Sequence, residues 1–401
     1  MASPPFVFGR IADTDNFTDR EAERTRLRGN FESLTNTIII SPRRWGKSSL
    51  VQRVKADLAA TKSDLRVCQI DLFDVRTEAD FYAHLATAVM KATLRKWDEW
   101  MEAVRSFLAH LRPTLSIGPD PGAQISLDLD WQTAAKTPDD ILDLAERIAE
   151  SRNLRLVICI DEFQAIAHFA DSEAFQRKLR AHWQRHRHVA YCLYGSKRHM
   201  LLDIFSNPEL PFFRFGDIIM LAKIDNAIWG DFIAGRFAST GKSITPELGR
   251  RIAALVDNHS YYVQQLAQQV WLRTDSQCDA PIVGEALAAL TDQLSLLFAG
   301  LTESLTKRQL NFLRAVLDGA RALSSQATLK TYDLGTSGNV TRIKETLISR
   351  EIIDLDGDEI VLLDPVFAHW LRTVYFGARR AADPPGQVHQ MSAPTTMVAT
   401  G

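Results

Sequence analysis

The segment from Thr37 to about Ala60 joins a short apolar strand, a turn and a helix, in that order. The strand is Thr37–Ile40, and it enters the turn Ser-Pro-Arg-Arg-Trp-Gly-Lys-Ser at 41–48. The apolar residues of the helix recur at helical spacing, and they are Leu50, Val51, Val54 and Leu58. Backbone N–H groups, a helix amino terminus and a cation together bind phosphate, and such a turn provides all three. The segment therefore indicates an α/β fold with a phosphate site where a strand meets a helix.

Four more short apolar runs alternate with helical patterns along the first half of the chain. They are Arg66–Asp71, Leu154–Ile160, Val189–Tyr194 and Asp217–Leu221. Nearly continuous apolar runs are typical of parallel strands that are buried on both faces. We therefore expect a core with a five-stranded parallel sheet over residues 1–222. An irregular stretch at about 97–137 interrupts it, and we interpret that stretch as an insertion with a small hairpin or loop.

The pattern changes after Ala222, where strand-like runs give way to helices. Three helical segments follow, and together they predict a helical lid over residues 223–300: Asp225–Ser239, Thr245–Asp257 and Tyr261–Leu272. Residues 301–376 then combine helices with two apolar runs around Asp356-Gly357, a strong hairpin signal. Helices followed by a hairpin predict a winged helix. Residues 377–401 have few large apolar side chains, so we expect a disordered tail.

Composition excludes several classes of protein. The chain has 401 residues, enough for two or three domains, and 47 Lys and Arg against 49 Asp and Glu give a net charge of −2. A strongly basic polyanion binder is excluded. No apolar run approaches the roughly 20 residues of a membrane helix, and the first ten residues do not resemble a signal peptide. The four cysteines are far apart, which argues against zinc and disulfides and favours the cytoplasm.

Three residues of the turn have the chemistry of a phosphate site. Gly46 allows close backbone approach, Lys47 can reach β- and γ-phosphates, and the Ser48 hydroxyl can ligate Mg²⁺. Ser41 stands where the usual G-x-x-x-x-G-K-[ST] pattern has its first glycine. The alternative is a chance Gly-Lys-Ser turn, but the strand before it and the helix after it argue against chance.

A second group of candidates follows later strands. Asp161 and Glu162 end an apolar strand, so Asp161 could hold Mg²⁺ through water and Glu162 could polarise an attacking water. Ser196 follows the next strand and could bond that water or the γ-phosphate, although a serine there is as often a turn residue. Arg214 precedes the fifth strand and is either an arginine finger acting on a neighbouring subunit or a surface arginine.

The order of these motifs resembles the archaeal-type ATPase family, a branch of the AAA+/STAND nucleotide switches that is also similar to origin-recognition initiator ATPases. The matching strings are F-T-D-R-E-A-E at 17–23, P-R-R-W-G-K-S-S-L at 42–50, I-D-E-F-Q at 160–164, Y-G-S at 194–196, Y-Y-V-Q-Q-L at 261–266 and D-P-V-F at 364–367. The resemblance implies an AAA+-type P-loop core with strand order 5-1-4-3-2, a helical lid and a C-terminal winged helix. It also implies ATP and Mg²⁺.

The resemblance also carries over to individual residues. It places Arg20 in an adenine pocket. The residues expected to bind the nucleotide from the turn are Pro42, Arg43, Arg44, Trp45, Gly46, Lys47, Ser48 and Ser49. In AAA+ relatives a lid arginine contacts the γ-phosphate, but the last lid helix offers only Arg273 at its end. This departure favours a slow switch over fast turnover.

The sequence thus predicts an ATP-binding, slowly ATP-hydrolysing switch whose nucleotide state controls the lid and the winged helix. The alternatives are a nucleotide-gated DNA-binding regulator and an ATP-gated scaffold that docks a protein. DNA is weakly supported, because residues 305–372 carry nine Lys or Arg and nine Asp or Glu. The plausible groove residues are Thr341, Arg342 and Lys344. A protein partner or homo-oligomer could also bind. The basic helix at 177–187 could line a subunit interface or a nucleic-acid channel, and the aromatic stretch Trp97–Trp131 could be a partner surface, although such residues more often form a solvated helix or a core.

Overall fold

The computed structural model describes residues 3–12, 16–94, 99, 114–117, 125–128, 138–357 and 359–377. The chain divides into two compact units, Met1–Ala286 and Leu287–Gly401. The expected domain boundaries at residues 222, 300 and 376 remain predictions. The expected tail at 377–401 lies outside the described residues, apart from Gly377.

The first unit is built around a parallel sheet. Its strands are β1 (Thr37–Ile40), β2 (Leu65–Asp71), β5 (Arg155–Asp161), β6 (Val189–Gly195) and β7 (Asp217–Met220). They lie in the order β2-β5-β6-β1-β7, and every neighbouring pair is parallel. Counted along the chain as five strands, this is the expected order 5-1-4-3-2, which is therefore confirmed.

Both faces of the sheet are buried, because successive side chains of a strand point to opposite faces. Ile38 and Ile40 of β1 pack in one core cluster, whereas Ile39 packs in another. Helices α1 (Glu21–Glu32) and α2 (Lys47–Thr61) supply the second cluster through residues such as Phe31 and Leu50. The remaining core helices are α3 (Glu78–Thr93), α4 (Pro138–Leu142), α5 (Leu144–Ser151), α6 (Ser172–Trp183) and α7 (Arg198–Ser206), with a 3-10 helix at Phe163–His168.

The expected insertion contains a small hairpin. Strands β3 (Thr114–Ile117) and β4 (Ile125–Asp128) pair antiparallel, with Thr114 opposite Asp128. The aromatic residues named there as a possible partner surface, Trp97, Trp100 and Phe107, lie outside the described residues.

Three helices follow the sheet within the first unit, as predicted. They are α8 (Asn226–Ala238), α9 (Pro246–Leu255) and α10 (Ser260–Arg273). Asp225 and Thr245 cap the first two, since each side chain accepts a hydrogen bond from the first turn. Helices α8 and α9 approach closely at two glycines, because a Cβ atom at Gly249 would lie 2.8 Å from the carbonyl oxygen of Gly230.

The second unit consists of helices and a two-stranded sheet. After α11 (Ala280–Glu303), which begins in the first unit, come α12 (Lys307–Leu317), α13 (Gln326–Thr331), α14 (Ser337–Ser349), β8 (Ile353–Asp356), β9 (Glu359–Leu362) and α15 (Pro365–Trp370), ending in a π-helical turn at Leu371–Tyr375. Strands β8 and β9 pair antiparallel. The expected winged helix is therefore confirmed.

Helix α11 corrects one sequence-based expectation. It has 24 residues and a window of mean hydropathy 1.4, so length and composition alone would let it span a membrane. Core helices of soluble proteins pass the same test, and one such helix is weak evidence for a membrane. The expectation that no apolar run approaches that length overlooked this helix, because Glu285 and Asp292 divide its apolar residues.

Candidate functional site

A cavity of about 570 Å³ opens at the carboxyl ends of the central strands, where open parallel sheets bind their ligands. The phosphate turn, the strand ends after β5 and β6, the lid and the amino-terminal segment all contribute to its wall. Its volume is within the range of small-molecule and cofactor sites. The residues predicted from separate motifs therefore share one cavity.

The turn before α2 is held in an unusual backbone conformation. Gly46 has a φ of 96° and Arg44 a φ of 63°, both in the left-handed region that favours glycine. Lys47 begins α2, is 6% exposed, and donates from Nζ to the carbonyl oxygens of Ser41 (3.0 Å) and Pro42 (2.9 Å). The backbone thus fixes the ammonium group at the wall of the cavity. Pro42 itself contributes this carbonyl and is not among the described residues that line the cavity.

Ser48 and Asp161 join the two halves of the predicted site. The Ser48 hydroxyl donates a hydrogen bond of 2.9 Å to Asp161 Oδ2, and Oδ1 of the same carboxylate accepts 2.8 Å from the Glu162 N–H. Burial raises the pKa of Asp161 to about 6, although both hydrogen bonds act to lower it. A hydroxyl and a carboxylate in contact are oxygen donors of the kind that Mg²⁺ prefers. This pair therefore fits the predicted magnesium site.

Glu162 lies beside this pair and is held by neighbouring side chains. Its Oε2 atom accepts hydrogen bonds from the Ser196 hydroxyl (3.0 Å) and from the Gln164 amide. The Ser196 oxygen in turn accepts 3.0 Å from Arg43 Nε. The structure thus brings Arg43, Ser196 and Glu162 into one hydrogen-bonded chain.

Sequence reasoning did not single out Gln164 as a site residue. It is 4% exposed and packs over Gly195, where an added Cβ atom would lie 1.9 Å from Gln164 Oε1. The motif I-D-E-F-Q contained the signal, since Gln164 follows Glu162 by two residues at the same strand end.

Arg20 lies in the cavity wall, where the resemblance placed it. It is 4% exposed, pairs with Glu23 at 3.0 Å, and donates 3.4 Å to the carbonyl oxygen of Trp45. Trp45 and Ser49 also line the cavity. Arg20 thus supports the backbone of the phosphate turn.

Two arginines considered from the sequence lie elsewhere. Arg214 is exposed, with its guanidinium 5.1 Å from the Phe213 ring centroid, ahead of the amino end of β7. Arg273 donates to the Gln269 carbonyl (2.9 Å) and side chain (2.7 Å). Neither is among the described residues that line the cavity of this chain, and a role of Arg214 as an arginine finger on a neighbouring subunit stays a prediction.

The amino-terminal segment covers the cavity from the lid side, which the sequence did not predict. Phe6 is buried and its ring lies 6.5 Å and 5.9 Å from the rings of Phe232 and Phe237. Val7 N donates to Gln264 Oε1 (3.4 Å), and Ala12 N donates to Ser49 Oγ (3.1 Å). This segment therefore contacts both the lid and α2.

Comparisons with known proteins agree with this architecture. The family model described as "Probable winged helix domain" matches residues 296–373. A Walker-type ATPase of Pyrococcus abyssi is 17% identical, with a TM-score of 0.65 over 92% of this chain and 99% of that chain. The ORC2 protein of Aeropyrum pernix, solved as ADPNP–ADP complexes, is 14% identical, with a TM-score of 0.54 over 94% of this chain and 99% of that chain. No curated protein matches the chain.

At these identities the likeness is one of fold. The chain has the fold of Walker-type ATPases, with an α/β P-loop core, a helical lid and a C-terminal winged helix. The resemblance stated from the sequence is confirmed at that level.

Proposed function

We propose that this chain binds ATP with Mg²⁺ and hydrolyses it slowly, as a switch whose nucleotide state controls the lid and the winged helix. The observation that carries the proposal is the meeting of Lys47, Ser48, Asp161 and Glu162 at one cavity, with Ser48 and Asp161 2.9 Å apart. These residues come from two sequence motifs more than a hundred positions apart.

The charge and shape of the cavity support a nucleotide. Cationic side chains outnumber carboxylates in its wall, which suits a polyphosphate. The cations are Arg10, Arg20, Arg43, Arg44 and Lys47, and the carboxylates are Asp161 and Glu162. An apolar wall for the base is formed by Val7, Phe8, Ile11, Ile224 and Trp229.

Each residue then has a defined task. Lys47 and the N–H groups that open α2 bind the β- and γ-phosphates. Ser48 and Asp161 would hold Mg²⁺, which neutralises phosphate charge when bound. Among the described residues no group of three or more His, Cys, Asp or Glu could hold a metal, so phosphate and water oxygens would complete its shell. Glu162 accepts the proton of the attacking water, and Ser196 orients Glu162.

One observation supports slow turnover. Within residues 226–273, all of them described, no arginine lines the cavity, so the lid adds no cation to the reaction.

The four free cysteines are buried, and we place the protein in the reducing cytoplasm.

Two variants test the proposal. Lys47→Ala should abolish binding of a fluorescent ATP analogue, because the phosphates lose their buried cation. Glu162→Gln should keep analogue binding and lower phosphate release by about 100-fold or more. An unchanged affinity in Lys47→Ala would show that the nucleotide site has been assigned to the wrong residues.

A further inference from the structure

Two consecutive arginines of the phosphate turn contact different parts of the protein. Arg43 donates to Ser196 beyond β6, inside the chain of hydrogen bonds that holds Glu162. Arg44 instead lies against the lid, with its guanidinium carbon 4.5 Å from the centroid of the Tyr261 ring. Both arginines line the cavity together with Lys47. Arg44 is thus a cation of the phosphate turn that contacts a lid helix.

The backbone of Arg44 has an unusual conformation. Its φ of 63° is left-handed, a conformation that residues other than glycine, asparagine and aspartate rarely adopt. The side chain is exposed, so burial in a core does not explain its direction. A non-glycine residue held in this conformation at a binding cavity suggests a functional reason for the residue type.

Tyr261 lies at the junction of three segments. It is in the first turn of α10 and lines the cavity. Its ring meets Phe8 edge-on at 5.7 Å and Tyr262 edge-on at 5.2 Å. These contacts fix the ring from two sides. The Tyr261 ring therefore presents an aromatic face of fixed orientation to the Arg44 guanidinium.

Geometry allows Arg44 to serve the lid and the phosphates together. A guanidinium that stacks on a ring by its face keeps its N–H donors free in its own plane, where they can bond phosphate oxygens. A bound phosphate would then fix Arg44, and Arg44 would fix Tyr261 and the start of α10. By reciprocity, a lid held by Arg44 would strengthen phosphate binding.

We propose that the Arg44–Tyr261 pair is the positioning contact that couples the bound phosphates to the lid. This inference rests on the proposed nucleotide site and assigns its link to α10. It also explains how a lid without an arginine in the cavity can respond to phosphate charge, since the cation comes from the phosphate turn.

The test compares three single variants and one double variant. Arg44→Asn removes the cation but keeps a residue that tolerates the left-handed conformation. Tyr261→Leu removes the ring, and Tyr261→Phe keeps it as the matched control. Binding of a non-hydrolysable ATP analogue is measured for each, together with hydrogen exchange of the α10 amides at saturating analogue. Thermal unfolding checks that each variant is folded.

We expect Arg44→Asn and Tyr261→Leu each to weaken analogue binding about fivefold. The double variant should lose no more than Arg44→Asn alone, because without the guanidinium the Tyr261 ring has no stacking contact left to lose. The protection that the analogue gives to α10 should fall in both, while Tyr261→Phe should behave as wild type. A merely structural role for Arg44 would leave that protection unchanged.

Additive losses, or full protection of α10 in Arg44→Asn, would overturn the coupling while leaving the nucleotide site intact. A wild-type protein that does not bind the analogue would overturn the proposed function first, and the coupling with it.

Discussion

The contact between the Ser48 hydroxyl and Asp161 makes the two motifs of the candidate site depend on each other at the level of single atoms. The carboxylate lies partly buried at the end of β5, and its pKa is raised to about 6 by that burial. Asp161 therefore takes up a proton at a pH closer to neutral than an ordinary aspartate does.

The raised pKa of Asp161 affects the binding of Mg²⁺. A carboxylate must be ionised to bind Mg²⁺, so protons and metal compete for Asp161 below about pH 6. We expect the Mg²⁺-dependent part of ATP-analogue binding to weaken about tenfold per pH unit below that value. Magnesium titrations at about pH 7.5 and about pH 5 measure the change.

Asp161→Asn is the control for that titration, since the nucleotide phosphates titrate in the same range. The variant should bind Mg²⁺ weakly at both pH values and show only the dependence that belongs to the nucleotide. An identical pH dependence in the variant and the wild type would refute the role of Asp161.

Among the elements, the start of α10 carries a second buried titratable group. His259 is 7% exposed, and burial lowers its pKa to about 4. The Tyr262 ring packs on it, Arg44 and Lys223 oppose its protonation, and Asp257 favours it. Within the described residues its Nδ1 atom has no hydrogen-bond partner. The lid thus keeps a neutral imidazole where α10 begins.

We expect acid to destabilise the protein through this residue. Because the folded pKa lies below the unfolded value of about 6.5, the stabilisation is complete above pH 6.5 and is lost as the pH falls towards 4. The loss amounts to at most about 3 kcal/mol. Urea unfolding of wild type and His259→Leu at about pH 7 and about pH 4.5 measures it.

Wild type and His259→Leu share their other titratable groups, including Asp161. The difference between their free energies of unfolding therefore isolates the contribution of His259. The raised pKa of Asp161 acts in the opposite direction, since its contribution to stability falls as the pH rises through that value. If both proteins lose the same free energy of unfolding in acid, His259 is not the cause.

The strands show what the sequence could predict. The run Leu154–Ile160 and the strand Arg155–Asp161 differ by one residue at each end, because a central strand that is buried on both faces is apolar along nearly all of its length. The site residues of the turn and of β5 were found for a related reason, since each motif is local in the chain.

Contacts between distant segments were not predictable in this way. Val7 bonds a side chain 257 positions away, and no local pattern marks either residue for the other. Gln164 was missed because its role depends on the space above Gly195 of another strand. Arg44 was assigned to phosphate binding, and its contact with Tyr261 followed only from the arrangement of the lid.

At the scale of the whole molecule, the second unit has the fold of a winged helix without a strongly basic surface. On α14, Thr341 and Arg342 are exposed, while Lys344 is partly buried. Two other cations of this unit face carboxylates, as Lys307 lies 3.6 Å from Asp333 and Arg321 lies 3.5 Å from Glu359. These carboxylates reduce the positive charge that the two cations offer to a phosphate backbone.

We therefore expect the full chain to bind duplex DNA weakly, with a dissociation constant above the roughly micromolar range even at low salt and saturating ATP analogue. Fluorescence anisotropy of a labelled duplex measures it, and Arg342→Ala serves as the control for α14. Tight binding with a steep salt dependence that Arg342→Ala removes would establish the DNA-binding alternative.

The amino-terminal segment has a consequence for biosynthesis. The ribosome makes Phe6 and Val7 long before their partners Phe232, Phe237 and Gln264. The wall of the cavity stays open on the emerging polypeptide until Gln264 has left the exit tunnel. The complete wall that the proposed nucleotide would contact therefore exists only once the lid has been made.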